Sequence, residues 1–300
     1  MAAITSVNAS QAIVKLVATD ALPALRNNLL LGAIVNRSFD NAVKTPGDVI
    51  NIPIPGVMVA NRLSEGGSVQ TQNPTLGNAA VTLDRHIEAS FAVPDLTQLL
   101  VAPNLLQLAM EPAIIALAEM VETDLFNLYT NFTVNAPVGT GGAGLASEAV
   151  LDLAEKRLFD AKALSQSATK YLIVGSSAYS DLRQLPRFTE NQTNGNGGAI
   201  ASGLVGQLKG FNIYRSQLVA SLAGTTYNMA FVPNAMTLVT RKFNQVPGNL
   251  GVVSEEISDN GYSMRVVYSY NAQALSSQIT IHMLYGVSVL RNAFGVLVLS

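Results

Sequence analysis

VTLDRHIEASFAVPD, residues 81–95, reads as a strand of period two, with Val81, Leu83, Arg85, Ile87, Ala89, Phe91 and Val93 on one face and Thr82, Asp84, His86, Glu88 and Ser90 on the other. Upstream, PGDVINIPIPG (46–56) alternates too, setting Ile50, Ile52 and Ile54 against Asn51, Pro53 and Pro55. Proline cannot donate to a ladder, so this strand belongs at an edge or outside a sheet. Between them, NRLSEGGSVQTQNPTLGNAA (61–80) reads as a polar, glycine-rich tip. The pattern predicts a long two-stranded loop with arms of roughly 10–13 residues, about 35–45 Å each at ~3.4 Å per residue. Such a ribbon is marginal alone in water and must lie on something.

Working outward, DLTQLL (95–100) reads as a short helix, and a long helix follows Pro103 to about Tyr129. Met110, Ile114, Leu117, Val121, Leu125 and Leu128 recur at spacings of three and four, with Glu111, Glu119 and Glu122 for the wet side. Pro112 is a first-turn residue or a kink. Residues 1–45 show no clean period, are interrupted by Pro23, and read as an arm. From 147 to 243 helix and strand alternate: a helix over about 148–164, a buried strand YLIVG (171–175), a helix from about Ser177, and a loop over 187–203. Short strands near GLVGQLKGFNIYRS and YNMAFVP follow. Beyond Gly251 the chain is again β, with Met264, Val266, Tyr268 and Tyr270 alternating before ITIHMLYGVSVL and FGVLVLS.

Composition narrows the class. Charged residues are 13% of the 300, about half the usual quarter, while apolar residues reach 49%. No uninterrupted apolar run approaches the ~18–20 residues of a spanning helix, and no basic n-region precedes an apolar one, so the expectation is synthesis in the cytoplasm without a membrane span. Obligate interfaces are poor in charge, so the composition favours a protein surrounded by copies of itself. A net charge of −2 offers no basic footprint for direct nucleic-acid recognition. Cysteine is absent, which removes disulfides and thiolate chemistry.

Catalytic and cofactor signals are weak. GTGGAG (139–144) has G-x-G-x-x-G spacing ahead of a helix, but NFTVNAPV before it is polar and carries Pro137, unlike the buried strand a dinucleotide site needs. A connecting loop is expected there. His86 and His282 have no second ligand in local register, and His86 with Asp84 and Glu88 reads as a polar row, not a metal site. No H-E-x-x-H, G-x-S-x-G or P-loop motif occurs, and four N-x-[ST] sequons are discounted without an export signal. Neither catalysis, cofactor nor metal is expected.

The order of parts resembles the major capsid protein of tailed bacteriophages, with its Hong Kong 97-type fold. PGDVINIPIPG, then VTLDRHIEASFAVPD and EMVETDLFNLY, is similar to that family's E-loop leading into its spine helix, and GLVGQLKGFNIYRSQ to the strand pair of its axial domain. The resemblance implies an α+β chain with an N-arm (1–45), an E-loop (46–94), a peripheral domain (95–135 with 245–290) and an axial domain (136–244), leaving 291–300 unassigned. It further implies self-assembly into hexamers and pentamers of an icosahedral shell in the virion, enclosing double-stranded DNA. A separate scaffolding protein and a portal are the expected partners, since the chain is short for a fused scaffolding domain, and the presence of a decoration protein is left open. Candidate interface residues are Ile50, Ile52, Ile54, Arg62, Glu65, Gly66, Gly67, Arg85, Ile87, Glu119, Glu122 and Arg187, and a charge at Ile52 is expected to impair assembly more than folding. The family's founding member cross-links through an E-loop lysine; here none lies between Lys44 and Lys156, so no such reaction is expected. The rival readings are an encapsulin-type nanocompartment shell and a dinucleotide-dependent α/β enzyme using Gly139, Gly141 and Gly144.

Overall fold

The alternation over 81–95 holds, but two strands share it. β1 (Val49–Ile54) pairs antiparallel with β2 (Gly77–Thr82), Ile52 opposite Ala79 and Ile50 opposite Val81. The chain leaves the ribbon at Leu83–Asp84, and β3 (Arg85–Pro94) then pairs antiparallel with β12 (Ser276–Val289). Each paired arm of the ribbon is therefore six residues, shorter than its alternation implies. The physical reason is competition: β12 offers β3 a ten-residue ladder, more backbone hydrogen bonds than the ribbon can supply.

The computed structural model describes residues 29–39, 49–54, 56, 58–63, 65–74, 76–95, 105–142, 144–145, 147–164, 169–185, 206–243, 252–259 and 262–300. Most of the arm, the helix expected after Asp95, and the loop 187–203 with Arg187 lie outside the described residues.

The first sheet runs β10 (Val253–Asp259), β11 (Tyr262–Asn271), β12, β3, with β9 (Met236–Arg241) also pairing with β12. Across its inner face lies α2 (Leu105–Phe126), about 33 Å long at ~1.5 Å per residue, with Pro112 inside it and a 3-10 turn at Asn127–Asn131 after it. Ile114, Leu117, Val121 and Leu125 of the helix pack with Met264, Val266, Ile279, Ile281 and Met283 of the sheet. Burying such aliphatic side chains contributes about 1.5–3 kcal/mol each. The short helix α1 (Leu31–Ile34) joins this core through Leu31.

The second sheet is mixed: β13 (Gly295–Leu299), β8 (Thr225–Phe231), β4 (Lys170–Val174), β6 (Phe211–Arg215) and β5 (Gln207–Leu208), in that order, with β7 (Ser221–Leu222) on β8. Only β4 and β6 are parallel. α3 (Glu148–Asp160) and α4 (Ser176–Gln184) pack Leu151, Ala154, Leu158, Ala178 and Leu182 against Leu172, Val174, Phe211 and Ile213. Lys209 and Gly210 take φ of 52° and 75°, the left-handed pair that closes the two-residue β5–β6 hairpin.

Pairing crosses the sequence divisions at two places. Met236–Arg241, within segment 136–244, joins the first sheet through β12, and 295–299 return to β8 in the second. GTGGAG is a loop whose Gly139, Gly142 and Gly144 have φ of 87°, 74° and 74°. Before it Val138 makes only an isolated bridge to Val298, and after it Ser147 Oγ caps α3 by accepting from Ala149 N at 3.2 Å. Glycine there supplies the left-handed backbone that the connecting loop requires. No described helix is long and apolar enough to cross a membrane.

Candidate assembly interface

The ribbon's inner face is covered by its own chain. Ile52, Ala79, Val81 and Leu83 are buried against Val239, with Ile50, Ile54, Phe39 and Leu290 half-buried around them. The isoleucine row is thus a small core joining the ribbon to β9, and a charge at Ile52, which is 4% exposed, would cost folding directly. This corrects the expectation that Ile52 serves assembly more than folding. Strand alternation says only that one face is covered, not by which chain.

Beyond Ile54 and Gly77 strand pairing stops, and the segment 55–76 projects. Its character differs from the sequence reading: Met58, Val59, Leu63, Val69 and Leu76 are all exposed, Val69 at 79% and Leu76 at 73%. A polar tip needs no partner, whereas five exposed apolar side chains on one projecting segment mark an interaction surface. Arg62, Glu65, Gly66 and Gly67 are exposed beside them, Gly66 with φ of 80°. A cleft of about 640 Å³ runs between Met58, Val59, Leu63, Val69 and Gln72.

At the root of the ribbon, Arg85 Nη1 lies 2.5 Å from Asp124 Oδ1 on α2, and Tyr285 on β12 donates to Asp124 Oδ2 at 2.6 Å. Arg85 is thus held inside the subunit, and Ile87 packs half-buried on the main core. Glu119 is exposed on α2, as its spacing predicts. Glu122 is not: it is 3% exposed, and its two oxygens accept the backbone N–H groups of Leu31 and Gly32, both at 3.0 Å. Glu122 is therefore corrected from the wet face of the helix to an internal tie. Helical spacing could not show this, because the groups it satisfies belong to residues some ninety positions earlier. Burial raises the Glu122 carboxyl pKa, against the lowering effect of those backbone bonds.

The two histidines, distant in sequence, meet. His86 Nε2 and His282 Nδ1 are 2.9 Å apart, Arg265 Nε donates to His282 Nε2 at 2.8 Å, and the Phe243 ring covers both imidazoles at 5.1 and 4.5 Å. Arg265 occupies the Nε2 lone pair, so His282 carries its proton on Nδ1 and donates to His86. Burial first, then the Arg265 and His86 charges, lower the His282 pKa to about 4. Among the described residues no group of three His, Asp or Glu side chains could hold a metal ion.

The sequence reading sets an interface at the tip, Asn61 to Ala79, through Arg62, Glu65, Gly66 and Gly67, without naming its apolar side chains or Gln72. The available signal was the recurrence of Met58, Val59, Leu63, Val69 and Leu76 among the polar and glycine residues of the segment.

Comparison with known proteins places this arrangement. The profile of the family described as phage capsid protein matches residues 95–276. No curated protein matches. Among solved structures, one from Mycobacterium phage Che8 superposes with a TM-score of 0.67 at 18% identity, covering 90% of each chain. The capsid of Ralstonia phage GP4 gives 0.62 at 9% identity, covering 89% of this chain and 86% of that one. The mature capsid of bacteriophage PhiM1 gives 0.59 at 15% identity, covering 85% and 83%. Since the family profile spans well over half its length and the architecture is shared nearly end to end, the chain belongs to the phage capsid protein family, as a major capsid protein with the Hong Kong 97-type fold.

Proposed function

We propose that copies of this chain close into the hexamers and pentamers of an icosahedral shell around double-stranded DNA, with the ribbon tip of each copy seated on its neighbour. The observation carrying this reading is the exposed apolar row Met58, Val59, Leu63, Val69 and Leu76 on a segment with no partner strand. A tip that grips a different surface of the next copy makes a heterologous contact, which closes into a ring when the rotation between copies divides a full turn. Burying each such side chain contributes about 1.5–3 kcal/mol, repeated around every ring. In this reading 1–45 form the arm, 46–94 the E-loop, 95–135 with 245–290 the peripheral domain and 136–244 the axial domain.

DNA is enclosed without sequence recognition, in keeping with 18 basic residues against 20 acidic ones and a net charge of −2. The chain is a structural protein that catalyses no reaction in this role. Assembly takes place in the host cytoplasm with a separate scaffolding protein and a portal as partners.

Negative-stain electron microscopy of the purified protein, alone and coexpressed with its genomic neighbours, tests this. Closed shells or six- and five-membered rings are expected. Discrete dimers or tetramers under every condition would overturn it.

A further inference from the structure

The ribbon tip has a single described fastening. Between residues 58 and 76 every described side chain is exposed except that of Gln72, which is half-buried. Gln72 Oε1 accepts the backbone N–H of Val59 at 2.9 Å, and Gln72 Nε2 donates to the Val59 carbonyl. A carboxamide carries the same donor and acceptor as a peptide group, so Gln72 supplies to Val59 the pair of bonds that an opposing strand residue would supply. It does so five residues beyond the last Cα pair, Ile54–Gly77, on each arm of a loop that turns at Glu65–Gly66. The effect is to hold the two arms together across the cleft, with Met58 and Val59 on one arm and Val69 on the other.

We propose that Gln72 is a positioning residue for assembly: its amide presets the tip in the shape that a second copy of this chain receives, so that docking does not have to order the loop. This rests on the reading of the tip as an inter-subunit contact. A loop ordered before binding gives up less conformational freedom on docking, and affinity falls by the fraction of time the loop spends in other shapes. Asparagine is one methylene too short to reach both Val59 groups, and glutamate at neutral pH sets a carboxylate against the Val59 carbonyl.

The test uses the full chain in its unassembled form and in assembly. By hydrogen exchange, the Val59 amide of unassembled protein is expected to be protected relative to Ala60 and Asn61. In Gln72→Ala and Gln72→Asn it should exchange at its neighbours' rate, while the melting temperature stays unchanged. Both variants should need about tenfold more protein to form shells, the loss corresponding to roughly one to two hydrogen bonds. An unprotected Val59 amide in the parent, assembly of the variants at the parent concentration, or a lowered melting temperature would each overturn the proposal. A Leu63→Ser, Val69→Ser variant separates the two readings. Should it assemble normally, the tip is not the contact; should it fail while Gln72→Ala assembles normally, the contact stands and the role of Gln72 falls.

Discussion

Tyr285, fully buried in β12, donates its hydroxyl proton to Asp124 of α2 at 2.6 Å, and Arg85 at the start of β3 holds the other carboxylate oxygen. One carboxylate thereby joins the helix, the central strand and the point where the ribbon departs. Burial, and then the Asp124 bond, push the Tyr285 phenol well above its usual range, so it remains a donor throughout. Asp124→Ala orphans both partners and should cost about 2–3 kcal/mol, the Arg85 share reduced because that side chain is 32% exposed. Tyr285→Phe removes one donor and should cost about 1 kcal/mol. Denaturant unfolding of unassembled protein measures both, and the double variant should cost less than the sum. Equal costs for the two single variants would contradict a shared Asp124.

Glu122 ties the chain near Leu31 to the C-terminal part of α2, and its loss should be read first in exchange rates. Glu122→Ala leaves two buried N–H groups without an acceptor and should cost about 1–3 kcal/mol, with faster exchange at Leu31 and Gly32. Because burial raises its folded pKa above the unfolded value, this group's titration favours folding most below about pH 4.5 and less as pH rises through the folded pKa. Glu122→Gln does not titrate, so the stability difference between parent and variant should shift against the parent as pH rises. A difference independent of pH would refute the buried-carboxylate account.

His282 works in the opposite direction. Its folded pKa of about 4 lies below the unfolded value near 6.5, so the unfolded chain takes up a proton first. The stabilisation is present above about pH 6.5 and is lost as pH falls toward 4. His282→Gln keeps an acceptor for Arg265 and a donor for His86 but cannot titrate. Its unfolding free energy should therefore fall less steeply between pH 7 and 4.5 than the parent's, by roughly 1 kcal/mol after allowance for solvent screening. Parallel pH profiles for the two proteins would show that another group controls acid stability.

Gly286 marks where the ribbon crosses β12. A Cβ there would collide with the carbonyl of Thr82, which is main chain and cannot rotate away. Gly286→Ala should displace β2, break the 3.2 Å bond from Ser288 Oγ to Ala80 O, and destabilise the ribbon's small core. A loss of about 1–3 kcal/mol is expected, with the exchange protection of β1 and β2 falling more than that of β11. Unchanged protection in the ribbon would mean that its angle is set elsewhere.

The alternation from Val81 to Val93 determined which residues point inward, and the burial pattern keeps that register across the break at Leu83–Asp84. The apolar spacing of α2 likewise determined its buried face, because this depends on a period carried by adjacent residues. Tertiary structure alone decided what each inward face meets. Ala79, Val81 and Leu83 lie against Val239, whereas Ile87 and Phe91 lie under α2, and the same period serves both. It also decided that Glu122 is internal, that His86 meets His282, and that Gln72 stands in for a strand at Val59. Each of these is a hydrogen bond between groups from 13 to 196 positions apart. A local pattern records which groups need partners, and only the folded chain brings the partners to them.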